Sequence, residues 1–184
     1  MGPSEEVAAY WQQQRLSGKS EEEAWRGCPR GDYLAFVMGS VPADRQLFVP
    51  YVAAVAHLIR RAAQDRPLPP LASQALDRID AWVLGNGDAN ACGQAGAALL
   101  PLGSDPQIDA LVFLLNEPKR CEEKDGGSGS GWWRSATPVR SVALAVSQRT
   151  DPQASCPLPA ALAWAADVLR EVVPSPPGRI KSRS

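Results

Sequence analysis

The sequence predicts an all-α fold, a compact single domain of about seven or eight short, antiparallel-packed helices. Apolar residues recur at helical spacing in three separate stretches, 48–59, 72–83 and 158–172. Glycines and prolines, 15 and 17 of them, interrupt the chain between such stretches, so each element stops where a helix cannot easily continue. Hydrophobic residues make up 45% of the 184 and aromatics only 7%. That is enough apolar material for a core at this size, provided the core leans on Ala, Val and Leu.

Taken in order, residues 4–16 form a first helix. Ser4 is its candidate N-cap, Glu5 and Glu6 lie in its first turn, and Val7, Tyr10 and Trp11 share one face. Gly18 ends it. Ser20 followed by Glu23 is a capping-box pattern and opens a short helix bearing Ala24 and Trp25. Asp32 is the expected cap of a third helix through Tyr33, Leu34, Phe36, Val37 and Met38. The strongest stripe follows Pro42: Phe48, Val52, Val55 and Ile59, widened by Tyr51, Leu58 and Ala62. Pro50 removes a backbone donor inside this pattern and predicts a kink or a later start. Arg60 and Arg61 stand in the last turns, where cations complement the helix dipole.

The Pro-rich stretch 66–70 is a rigid connector to the Ala72, Ala75, Leu76, Ile79, Val83 stripe, which ends in Gly85-Asn86-Gly87. Asp88 is placed to cap an Ala- and Gly-rich helix over 89–100. Ser104 or Asp105, ahead of Pro106, starts another with Ile108, Leu111, Val112 and Leu115 in register. Residues 119–131, charged and then Gly/Ser-rich, read as a flexible surface loop. The 139–148 segment fits a helix through Val139, Val142, Ala143 and Val146, and alternation through Val142, Leu144 and Val146; the helical reading is preferred. Leu158, Leu162, Ala165, Ala166, Leu169 and Val172 form the last stripe, closed by Pro174, Pro176 and Pro177. The domain is thus expected over 1–177, with a disordered basic tail at 178–184.

Charge excludes some functions. With 19 basic and 20 acidic side chains and a pI near 5.9, the chain lacks the basic excess of a general nucleic-acid binder, and no nucleic-acid partner is expected. No apolar run approaches the roughly 20 residues of a membrane span, and the acidic, polar N-terminus has no signal-peptide core. A cytoplasmic protein is therefore expected, with Cys28, Cys92, Cys121 and Cys156 as reduced, mostly buried thiols.

The search for chemistry returns little. His57 is the single histidine, and it has neither a His-Glu-x-x-His pattern nor a nearby cysteine, so it reads as a partly exposed or hydrogen-bonded structural side chain and no metal site is expected. Asp77 and Asp80 beside Arg78 read as a solvated face, and Glu21 to Glu23 as a helix N-terminus. The 126–131 Gly/Ser run lacks the Gly-Lys-Ser/Thr and the strand context of a phosphate or dinucleotide loop, so no cofactor is expected. Arg30-Gly31-Asp32 spells an adhesion tripeptide by chance. Trp132 and Trp133 cannot both easily face one core. One of them is therefore a candidate partner contact, against the alternative that both pack under the loop. No catalytic residue is identified, and a non-enzymatic protein is the expectation.

One stretch carries a resemblance. Ala24-Trp25-Arg26-Gly27-Cys28-Pro29-Arg30-Gly31-Asp32-Tyr33-Leu34 resembles the Trp-x-x-Cys-x-Arg-Gly-Asp-aromatic-Leu motif of Imm5-type helical immunity proteins of bacterial polymorphic-toxin systems. Asp44-Arg45 resembles the start of that family's long apolar helix, and residues 75–82, followed by the 85–88 turn, resemble the helix after it. Near the C-terminus, residues 165–174 are similar to its closing Ala-Asp-x-apolar-Arg-x-x-apolar-Pro signature. The resemblance covers residues 20–90 and 158–177, and the Pro-interrupted middle departs from it. It implies a helical protein that neutralises a cognate toxin by direct binding, in which Trp25, Cys28, Arg30 and Asp32 serve the scaffold. The alternative expectation is a helical adaptor or scaffold unrelated to toxins, assembled through the Trp132–Trp133 loop or the Pro-rich segments.

Overall fold

The computed structural model describes residues 3–40, 45–103, 105–123, 135–149 and 156–176. They form α-helices, with no strand among the described residues: α1 Pro3–Leu16, α2 Glu21–Arg26, α3 Gly31–Met38, α4 Arg45–Ala63, α5 Pro70–Val83, α6 Ala89–Leu99, α7 Pro106–Leu115, α8 Glu117–Glu122, α9 Thr137–Ser147 and α10 Leu158–Val172. A 3-10 turn, Leu100–Leu102, extends α6. The fold is all-α as the periodicity predicts, with more and shorter elements than the seven or eight expected. The 139–148 segment is helical, as preferred.

Local chemistry explains most helix starts. The Ser20 hydroxyl accepts from the Glu23 amide at 3.2 Å while the Glu23 carboxylate accepts from the Ser20 amide at 2.8 Å, a complete capping box on α2. Asp88 and Asp105 cap α6 and α7 through the amides of Asn90 and Gln107, at 3.0 and 2.8 Å. Gly85 adopts φ +82° just after α5, a conformation that favours glycine.

α4 is the hub. It touches α3, α5, α7, α8, α9 and α10, and Phe48, Tyr51, Val52, Ala54, Val55, Ala56, Leu58, Ile59 and Ala62 are all buried. A helix packed on so many sides buries far more than one stripe. This burial explains why α4 starts at Arg45 and runs through Pro50, so the later start expected from that proline does not occur. The packing of Phe48, Tyr51 and Val52 outweighs one missing hydrogen bond. The Tyr51 hydroxyl, wholly buried, donates to the Ser135 carbonyl at 3.1 Å, and the Ser135 hydroxyl donates to the Gly39 carbonyl at 3.0 Å. A Cβ on Gly39 would overlap the Ser135 side chain, so glycine is what lets the end of α3 meet the start of α9.

Three other expectations are corrected. α1 begins at Pro3, so Ser4 lies inside the helix and is not its N-cap. The residue that caps α3 is Arg30, and Asp32, in the first turn, makes no capping hydrogen bond because its carboxylate is engaged elsewhere. Finally, the expected 119–131 loop starts later. Residues 119–122 belong to α8, held by a nearly buried Glu117–Arg120 pair at 2.6 Å and by Trp82 Nε1 donating to Glu122 Oε1 at 3.0 Å. Residues 124–131, Trp132 and Trp133, Asp44, Ser104 and the 178–184 tail lie outside the described residues.

Candidate functional site

The 25–32 segment and the C-terminal half of α10 are remote in sequence and locked together in space. Trp25, with none of its surface exposed, donates its indole Nε1–H to the Val173 carbonyl at 3.2 Å. Arg170 answers from the other side. Its Nε donates to the Trp25 carbonyl at 3.1 Å, one Nη donates to the Cys28 carbonyl, and the other pairs with Asp167 at 2.8 Å. The Trp25 carbonyl also accepts from the Cys28 amide at 3.3 Å, so Arg170 reinforces the turn that ends α2 and supplies a donor to the Cys28 carbonyl beyond it. Gly31 closes the seam. A Cβ there would stand 2.8 Å from the Ala166 nitrogen and 2.9 Å from the Ala165 Cβ, so the small-residue face of α10 can meet backbone only if position 31 has no side chain.

Asp32 is the electrostatic centre of this cluster. Its carboxylate is fully buried and receives Arg30 Nε at 2.9 Å, Arg30 Nη2 at 2.8 Å and Arg140 Nε at 2.7 Å. Burial alone would raise its pKa; hydrogen bonds and charge from the two arginines outweigh that and hold the carboxyl below its ordinary value. Both guanidiniums remain part-exposed, at 32% and 42%. The Arg30 guanidinium also lies 4.2 Å over the Tyr33 ring.

Around it the neutral groups are kept neutral. The Cys28 thiol donates to the Arg30 carbonyl at 3.6 Å, and burial pushes its pKa up, the reverse of what a nucleophilic thiolate needs. Burial likewise raises the Tyr10 and Tyr33 phenols. The arrangement can hold two distant segments in register, and its polar atoms are spent on one another.

The remaining candidates fall on other faces. His57 Nε2 meets Glu171 Oε2 at 2.8 Å, and Arg61 holds the same carboxylate at 2.8 and 2.9 Å, a surface clamp between α4 and α10. Asp80 pairs with Arg60, tying α5 to α4, while Asp77 is exposed. The four cysteines are unbridged and three are buried. Among the described residues, no group of three or more His, Cys, Asp or Glu side chains is placed to hold a metal ion, and no helix is long and apolar enough to cross a membrane. The structure therefore brings Trp25, Cys28, Arg30 and Asp32 into one cluster and adds two members that residue-by-residue reading did not single out, Arg140 and Arg170. Their signal was weak: a lone arginine among the apolar positions of α9, and the arginine of the closing signature.

No family model matches the chain, and no match is found among curated proteins or solved structures.

Proposed function

We propose that the chain is a non-catalytic protein-binding domain, an immunity protein that neutralises a cognate bacterial toxin by direct binding. The observation that carries this reading is the lock just described. The two stretches that resemble the immunity family, some 145 residues apart, are the two halves of one internally satisfied cluster. A shared signature that meets itself in space and consumes its own polar groups is a scaffold signature. It leaves the helices between these two stretches to carry the surface on which partner choice is written.

Co-expression with the toxin-like product of the neighbouring open reading frame tests it. The expected result is rescue of growth and a stable complex that survives size-exclusion chromatography. A chain that neither protects cells from such a product nor binds it would overturn the proposal.

A further inference from the structure

α5 and α6 pack side by side and leave between them an open groove of about 210 Å³, bounded by Leu71, Ala75, Arg78, Ala91, Ala95 and Ala98. The exposed amides of Gln74 and Gln94 stand beside it. No side chain from Ala89 to Gly103 carries a charge, in a chain that is 21% charged overall. Loss of charge, more than hydrophobicity as such, separates the centre of a protein interface from ordinary surface. Apolar surface accompanies it: Leu71 is 43% exposed, and the turn after α6 presents Leu100 and Leu102, 65% and 44% exposed.

Arg78 decides what the groove would accept. Nine described arginines sit in ion pairs. Arg78 is exposed and has no carboxylate partner among the described residues. A partner covering the groove without an acidic group would strip water from this guanidinium and return nothing for it. One carrying a carboxylate at that point gains a charge-assisted pair in a low-dielectric seam.

Shape favours a helix. From Leu71 to Arg78 the groove follows about two turns, on the order of 10 Å, the reach of anchors at i, i+3 and i+7. Its alanine floor admits a third helix at close interaxial distance. We propose that the α5–α6 groove docks an acidic amphipathic helix of a protein partner, its apolar face on Leu71 and the alanines and a carboxylate opposite Arg78. The inference rests on the protein-binding reading above and names its surface.

Two probes test it on the full chain. The first is a pair of Ala/Leu-based helical peptides with leucines at i, i+3 and i+7, identical except for Glu or Lys at the position facing Arg78. They are titrated into isotope-labelled protein and followed by amide chemical shifts. The Glu peptide should shift amides of α5 and α6 and bind at least about tenfold more tightly than the Lys peptide. Arg78→Glu should invert that preference, and Ala98→Arg, at an exposed position of the groove, should abolish both interactions, with helix content and Tm retained in both variants. Equal response to the two peptides, shifts centred on other helices, or a concentration-dependent homodimer that covers these amides would overturn the proposal.

The second probe is the co-expressed toxin-like product. Ala98→Arg should lose neutralisation while remaining folded, and a folded Ala98→Arg that neutralises fully would remove the groove from the toxin's footprint. Should the wild-type chain neutralise nothing, the immunity reading falls, and the peptide titration still decides the groove.

Discussion

Replacing Asp32 removes the centre of the lock, and its cost can be worked from the contacts. The carboxylate accepts three charge-assisted hydrogen bonds, at 2.9, 2.8 and 2.7 Å, from Arg30 and Arg140. Bonds to charged groups contribute about 1.5–3 kcal/mol each, but the full sum is not forfeited. The two guanidiniums are 32% and 42% exposed and recover water when their partner goes. Breaking a fully buried pair costs roughly 3–5 kcal/mol, so this half-exposed case should fall at about 2–4 kcal/mol for Asp32→Ala. At 184 residues, each kcal/mol moves Tm by about 2–4 °C. Asp32→Asn keeps the shape and one acceptor and isolates the charge.

The pH dependence has a definite sign. The folded carboxyl is held below its unfolded value, so its stabilisation is complete above the unfolded pKa of about 3.9 and is lost as pH falls through the lower folded value. Urea unfolding of wild type and Asp32→Asn should therefore differ by a constant amount from pH 7 to 5, with the gap closing below about pH 4. A gap under about 0.5 kcal/mol at pH 7, or one that does not shrink in acid, would refute the account. So would a double-mutant cycle in which Asp32→Ala and Arg140→Ala simply add, since side chains that touch should couple.

Gly31→Ala should destabilise by about 1–3 kcal/mol in the same urea assay, because its Cβ would meet Ala166 and Ala165 backbone and side-chain atoms at 2.8–2.9 Å; an unchanged midpoint would show that the seam opens freely. Trp82→Phe removes the indole donor to Glu122 and should speed amide hydrogen exchange in α8 while exchange in α4 stays slow; equal change in both helices would mean a global effect. Under native conditions at pH 8, a thiol reagent should label the half-buried Cys156 first and the three buried cysteines only on unfolding. Cys92 should lag most, its pKa pushed up to about 11 by burial and the nearby Asp88; its labelling ahead of Cys156 would contradict the packing.

What could be read in the sequence was local. The Ser20–Glu23 box and the Asp88 and Asp105 caps depend on residues two or three apart, and all are present. Asp32 looked like another such cap, since the local pattern was the same. Arg30, two residues away, gives two of its three bonds; the third comes from Arg140, 108 residues away, and no spacing rule reports that. The 119–131 stretch was judged by its average composition, which hid a short helix started by Pro118 and clamped by Glu117 and Arg120. The later start that Pro50 suggests for α4 fails for the opposite reason. Helix propensity is local, and the burial that overrides it on α4 is tertiary. The cluster's residues were named through a resemblance, but the geometry that unites them, Arg170 reaching the carbonyls of Trp25 and Cys28, was not visible before the chain was folded.

The lock and the groove differ in how they spend charge, and the difference has a functional consequence. At the lock, Asp32, Arg30, Arg140, Asp167 and Arg170 answer one another, so a substitution there is felt as stability. At the α5–α6 face, Gln74, Arg78, Gln94 and Ala98 line an open groove and are exposed. Exposed positions of this kind usually change stability by less than about 0.5 kcal/mol, and sites without shared partners change it independently. The face can therefore accept new side chains, and with them new partners, while the joined ends hold the fold. The proposed protein-binding function needs that separation, with stability carried by the 25–32 and 165–173 segments and recognition left to the uncharged helix between them.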